Sequence, residues 1–567
     1  MQNIQDKRQS TNLTSSKYKT PSLKHLLITL FTLLTFSITS TINTAIAGGR
    51  TSEPNLMDRF LQKQSSSQIP PALSTFSKSS TTNDALVFSR GDDGIDIATF
   101  NSAFSLNKTL TNIRNTSSET STSNSNAQLL GSLFNTLTTT SKANGSVNIP
   151  LQARNNEANF NPTDLINDGM LPTAIFNRFD LSAGNGKHCG EYRIVYHKNS
   201  GAGRFFLIFE AKYPNPEPSK GSAGCFAVAD FWQQVGKKTK AEALLSLEKF
   251  FYQGLEHEGV NLPAVINFTH YTHETGQVRS NQFVDGPWQL REFKTDINAN
   301  GKAVLVADTV KGNPLAELFA NQQDSDSSAL KAAKIDFNND FNNHYIDNLL
   351  TPEKYSTSPS SNSIINGFSL KNDNRYNEFQ SDSTSNDNTA RPSNTTLNTA
   401  ISNKLDELNL SSYTPQMIRN RAEAMSCGGC HQNNNKAKIA PNVFWPSSGF
   451  FVHVNEQGDL SSALTEQFLP ARASLLENYL QETKAQKCGT ACQLGSASSN
   501  GGQHSCAIKL DNTVQCWGSN SYGQKNVPVG LTAKQIASGF AHTCALKPDN
   551  TVQCWGLNNL RQISVPV

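Results

Sequence analysis

Long apolar runs, blocks of like charge and methionine are what this 567-residue chain has least of. Lys+Arg 49 against Asp+Glu 46 leave a net charge of +3 without a strongly basic block, so nothing electrostatic points to nucleic acid. Beyond residues 1–47, no segment is apolar enough to span a bilayer, which takes roughly 20 consecutive apolar residues. Hydrophobic residues are 36% of the whole, and several stretches dominated by Ser, Thr and Asn could not bury a core. At this length several units joined by linkers are expected. The last of only five methionines is Met425, so no thioether is available downstream of it.

The N-terminus holds Lys17, Lys19, Lys24 and His25, then an apolar run from Leu26 to about Ile38, then Ala45-Ile46-Ala47 before Gly48. A positive region, a short apolar core and a small-residue site predict a signal peptide over residues 1–47, cleaved after Ala47. The mature chain is then exported, periplasmic or extracellular, with no transmembrane span. Ten cysteines fit an oxidising compartment. Apart from Cys427 and Cys430, eight remain: Cys189, Cys225, Cys488, Cys492, Cys506, Cys516, Cys544 and Cys554, an even number that allows four disulfides.

Residues 48–150 read as a low-complexity, partly ordered extension with two short helices. Residues 151–320 read as an α+β domain. Glu191 to His197 alternates, Asn199 to Gly203 turns, and Arg204 to Tyr213 continues as a second strand; Gln277 to Phe283 and Trp288 to Phe293 suggest another hairpin. Leu244, Leu247, Phe251 and Leu255 form one stripe of a helix from Thr239 to Leu255. Cys189 and Cys225 flank the first hairpin and are expected to pair. His270 and His273 lack the arrangement that sets a base beside a metal, and no catalytic constellation is assigned. Residues 321–399, rich in Ser and Asn, read as a linker with one more structured patch near Ile335 to Leu349.

Cys427-Gly-Gly-Cys430-His431 is the sharpest chemical motif. On a helical turn its two thiols and imidazole leave one face, so the thiols can bond a porphyrin edge while the imidazole ligates iron. It follows a helical segment from Ser412 to Ser426 with Met417, Ile418 and Ala422 on one stripe. A second helical pattern, Leu460 to Leu480, carries Leu464, Phe468, Leu475, Leu476 and Tyr479 and must kink or restart at Pro470. A redox or disulfide pair, and a zinc site drawing on His453, are the other readings of the same residues. Residues 400–487 resemble a small class I cytochrome c, which implies covalent haem c on Cys427 and Cys430 with His431 as the proximal ligand. That family's distal methionine has no counterpart here, and His453 is the candidate sixth ligand. Bis-His ligation would lower the potential.

A 38-residue period closes the chain: Gly501, His504, Cys506, Trp517, Asn520 and Gln524 recur as Gly539, His542, Cys544, Trp555, Asn558 and Gln562. Each unit reads strand, tight turn, strand. With Asn512 in a left-handed bulge position, Cys506 falls opposite Cys516, and the same register pairs Cys544 with Cys554. Residues 494–567 resemble the regulator of chromosome condensation repeat, one blade of a β-propeller, which implies a blade-like surface for a protein or redox partner. Two blades cannot close a ring. A truncated array, packing on the haem unit, or assembly of several chains are the ways to cover the edges left over.

The expected fold class is therefore multidomain: an α+β central domain, a small α-helical cytochrome c-like unit, and C-terminal all-β propeller-type repeats. The expected function is an exported haem c protein in electron transfer or haem-based binding. The alternative is a secreted, disulfide-stabilised binding protein without haem, in which Cys427 and Cys430 pair with each other.

Overall fold

The computed structural model describes residues 85–487 and 504–565, apart from 145–146, 151, 202, 285–287, 311–315, 347–348, 351–393, 425, 434–436, 450, 509–511, 519 and 560. The expected signal peptide, residues 48–84, Cys488 and Cys492 lie outside the described residues.

Seven strands form one antiparallel sheet whose order follows the chain: β1 (Val87–Ser89), β2 (Met170–Arg178), β3 (His188–Lys198), β4 (Arg204–Pro214), β5 (Gln277–Phe283), β6 (Gln289–Ile297) and β7 (Ala303–Asp308). Both expected hairpins are present. The turn between β3 and β4 needs Gly203, which has φ +74° and where a Cβ would stand 2.6 Å from the Val284 Cα.

Register fixes two unlike faces. Tyr192 lies opposite Ala211 and Ile194 opposite Phe209, and these side chains share one face with Tyr196, Leu207 and Tyr213, all fully buried. The Tyr192 ring stacks on Trp232 of α4 (Phe226–Val235) at 5.4 Å and meets Phe250 of α5 (Lys240–Tyr252) edge-on. Helix α5 starts where the sequence indicates: the Thr239 hydroxyl accepts from the Glu242 N–H while the Glu242 carboxylate accepts from the Thr239 N–H. Such a cap is worth about 1 kcal/mol. It ends at Tyr252 rather than Leu255, because Gly254 takes a left-handed φ of +76°.

The described part of the expected low-complexity extension is instead cover for this face. Helices α1 (Ile97–Ala103), α2 (Leu106–Asn115) and α3 (Asn126–Asn135) bury Phe100, Leu110, Ile113, Leu130 and Leu133. The polar composition reflects side chains employed structurally. Asp96, Ser105 and Ser125 cap these helices, and the Thr109 hydroxyl bonds both the Tyr196 and Tyr252 hydroxyls.

The described parts of the expected linker are also ordered. Ser328–Asp340 and Thr395–Glu407 are helices capped by Ser327 and Asn394. They join Pro415–Ala424, the helix expected before the cysteine motif, in a second core around Phe337, Phe341, Leu397, Ile401 and Ile418.

Residues 400–487 do not close on themselves, so a separate cytochrome c-like unit is replaced by a shared one. Pro415–Ala424 belongs to the second core, whereas Phe451, Val454, Leu464, Leu475, Leu476 and Leu480 belong to the core of the sheet. The last helix, Leu469–Lys487, spends its apolar stripe there: the Tyr479 ring packs on Phe179 at 4.7 Å and its hydroxyl donates to the Ser222 carbonyl. Pro470 stands at its second position, after a π-turn over Leu464–Phe468, which is the expected restart.

Cys189 and Cys225 are bonded as expected, tying β3 to the turn that precedes α4. Replacing both with Ala should lower unfolding stability by about 3 to 4 kcal/mol, the chain-entropy value for a loop of this size. Urea unfolding checks it, and an unchanged midpoint would contradict a stabilising role.

Candidate functional site

The cysteine motif sits on a helical turn, as its spacing requires. The Cys430 N–H donates to the Ser426 carbonyl, and Gly429–Asn433 continues as a π-turn. Gly429 is dictated by packing, since a Cβ there would stand 1.9 Å from the Glu423 carbonyl oxygen. Cys427 and Cys430 are both thiols rather than a mutual disulfide, which corrects the pairing expected under the haem-free alternative.

His453 comes to this turn from 23 residues beyond Cys430. Its Nε2 lies 3.1 Å from the Cys430 Sγ, its Nδ1 lies 2.8 Å from the Ser461 Oγ, and its ring centre is 4.6 Å from that of His431. The His431 Nδ1 donates to the Phe451 carbonyl at 3.0 Å, and the ring stacks on Trp288. A carbonyl can only accept, so His431 carries its proton on Nδ1 and leaves Nε2 as a lone-pair donor. Desolvation pushes the Cys430 thiol up to about 12, with Cys427 adding to it. A neutral thiol therefore donates to the His453 Nε2, which puts the His453 proton on Nδ1, toward Ser461. Desolvation also holds His431 down to about 4 and His453 well below the usual imidazole range, with His431 and Arg472 reinforcing the latter.

The floor of this site is the second face of the sheet, which is charged and nonetheless buried. Glu191, Arg193, Glu210, Arg279, Glu292 and Lys294 line it. Arg193 pairs with Glu191 at 2.6 Å and Glu210 at 3.1 Å; Arg279 bridges Glu210 at 3.2 Å and Glu292 at 3.1 Å; Lys294 reaches Glu292 at 3.1 Å. At its margin Asp180 binds Arg178 at 2.8 Å and Arg472 at 3.7 Å. Desolvation and Arg178 lower Arg472 to about 9, whereas Arg193 holds Glu191 down at about 2 against its desolvation. Desolvation raises Cys427, and Arg279 opposes that rise. Sequence reasoning missed this ladder. Its signal was charge recurring at every second position, Glu191 and Arg193, then Glu292 and Lys294, within strands otherwise read as half-buried.

Covalent haem fits the site on one side and not on the other. Two thiols and an imidazole whose Nδ1 is anchored on a carbonyl are the donor set for attachment and proximal ligation. His431 and His453, however, have their rings in contact at 4.6 Å, with no place for a porphyrin plane between them. His270 and His273 are not brought together on a metal site: the former is buried on the Val265 carbonyl, and the latter is exposed, 3.8 Å from Asp308. Among the described residues, a group of three donors within metal-ligand reach of one another is formed by Asp230, His257 and Glu258, and there Lys484 stands 3.1 Å from Asp230.

The C-terminal units adopt the expected register. β8 (His504–Ile508) pairs with β9 (Val514–Gly518), and β10 (Gln535–Ser538), β11 (His542–Leu546) and β12 (Val552–Gly556) form a second sheet. Asn512 and Asn550 take left-handed φ values of +62° and +67°, and the cross-strand disulfides Cys506–Cys516 and Cys544–Cys554 form. The cysteine face of the first blade, with Ile508 and Val514, packs against the tryptophan face of the second, with Ala545 and Trp555. The His504 Nε2 lies 2.8 Å from the Thr543 hydroxyl across that junction, and the Trp555 Nε1 donates to the Gln524 carbonyl at 2.9 Å. Residues 497–524 and 533–562 match the family described as Regulator of chromosome condensation (RCC1) repeat. These segments are two repeats of that kind. No curated protein and no solved structure matches the chain. No helix among the described residues is long and apolar enough to cross a membrane.

Three tests follow from the site's electrostatics. Native Cys430 should alkylate slowly at pH 7 and quickly in urea, as read by peptide mass mapping; equal rates would contradict a desolvated thiol. Arg279→Met should cost about 2 to 3 kcal/mol in urea unfolding, because Glu210 and Glu292 lose their shared cation while keeping Arg193 and Lys294. Unfolded His431 binds a proton near pH 6.5, while the folded residue waits until about 4, so stability should fall as pH drops through that window. The fall should shrink in His431→Gln without vanishing, since His188 and His197 are also held at about 4.

Proposed function

We propose that this chain is an exported, disulfide-stapled binding protein whose C-terminal repeats present the interaction surface. The observation that carries the reading is that the matched repeats keep large apolar side chains in water: Phe540 is 66% exposed and Trp517 47%. Cross-strand disulfides hold that surface in shape and suit an oxidising compartment. The test is a photo-crosslinking residue placed at Phe540, with exposed Ile97 as the control position. A discrete adduct from position 540, competed away by unlabelled chain and absent from position 97, is expected. No adduct at 540 would count against the reading.

A second reading is favoured by the His431 Nδ1 bond to the Phe451 carbonyl, which prepares Nε2 as a ligand. Here Cys427 and Cys430 would hold haem c covalently and His431 would ligate its iron, and the group would supply one-electron chemistry when bound. The chain's own part is to hold the imidazole in one tautomer, to seat it against Trp288, and to exclude water with Phe451. His453 as sixth ligand would require its ring to leave His431. Protein exported by a host with c-type cytochrome maturation should then show a haemochrome spectrum that Cys427→Ala/Cys430→Ala abolishes. A spectrum without haem leaves the binding reading alone.

A further inference from the structure

Each blade has two different faces, and one junction inside the chain shows how they fit. On β8 and β9, strand alternation puts Cys506, Ile508, Val514 and Cys516 on one face and Ser505, Gln515 and Trp517 on the other. On β11 and β12 the corresponding sets are Cys544, Leu546, Val552 and Cys554, against Thr543, Ala545 and Trp555. Equivalent residues differ sharply in exposure. Val514 is 9% exposed and Val552 42%; Trp517 is 47% exposed and Trp555 7%. Among the described residues, nothing therefore covers the tryptophan face of the first blade or the cysteine face of the second. These two surfaces are the halves of the junction already formed once within the chain.

We infer that the repeats associate head to tail, the Trp517 face of one chain packing on the Val552 face of a second copy. The proposal rests on reading the repeats as a binding surface and names the partner. The internal junction supplies the template. Moved by the 38-residue period, the Trp555 bond to the Gln524 carbonyl becomes one from Trp517 to the Gln562 carbonyl of the neighbouring copy. The contact of His504 with Thr543 becomes one between His542 of one chain and Ser505 of the other. Each contact buries an exposed indole and an exposed valine together, which is the favourable term. Such a contact is heterologous, so it propagates into a ring if the rotation closes and into a filament if it does not.

The experiment uses the full chain and its variants Trp517→Asp and Val552→Asp in analytical ultracentrifugation. Wild type should show a weight-average mass that rises with concentration to at least twice the monomer. Each variant alone loses one half of every contact and should remain monomeric. An equimolar mixture keeps one intact pair of faces and should give a capped dimer, which also shows that both variants are folded. A wild type that stays monomeric, single variants that associate as wild type does, or a mixture that stays monomeric while circular dichroism shows folded chains would each overturn the proposal. The binding reading fails separately: a monomeric wild type that still yields a discrete adduct at position 540 with another protein would keep that reading and remove self-association.

Discussion

Arg279, held between Glu210 and Glu292 in the middle of the sheet, is the interaction on which the rest of the main body depends. Ions removed from water cost several kcal/mol each unless their geometry is complete, so a ladder of this kind is tolerable only when its register is right. It commits the sheet to burial on both sides. One face takes aromatic cover from helices, and the other takes residues 426–431 and 451–472 as a lid over charge. Cys427 and His431 stand on that lid, which is why their protonation is governed by desolvation and by guanidinium groups together.

The two halves of the molecule are stabilised by opposite means. The seven-stranded sheet gathers residues from 87 to 308 and is roofed by helices that interrupt it and follow it in the sequence, so its order rests on contacts between distant segments. The repeats rest on contacts within a few tens of residues, closed by disulfides ten residues apart. A surface built from local contacts can be displayed at one end of a chain without reference to what the other end does.

Legibility in the sequence followed this division. The repeat hairpins were readable to the residue, because a left-handed Asn512 fixes the turn and the turn fixes every cross-strand pair. Thr239 and Glu242 announced α5 by their spacing, and Cys189 with Cys225 announced the bond that closes the first hairpin. The helices between Ile97 and Asn135 were half legible: two short helices were expected there, but serines and threonines that resemble a loop in composition concealed their place in the core, although Ser105 and Ser125 are caps. The charged ladder was hidden for a deeper reason: Glu210 and Arg279 have no relation along the chain and acquire one only through strand register. The position of His453 beside Cys430 was only half legible. The sequence singled out the residues, whereas their contact depends on how 426–431 and 451–454 fold over the sheet.

The chain's five tryptophans divide four to one. Trp232, Trp288 and Trp445 are fully enclosed and Trp555 nearly so, whereas Trp517 stands in water. The long-wavelength edge of the intrinsic emission therefore belongs to a single side chain on the first blade. In the single chain a collisional quencher such as iodide reaches that fluorophore and leaves the other four, so the face of the repeats carries its own optical label.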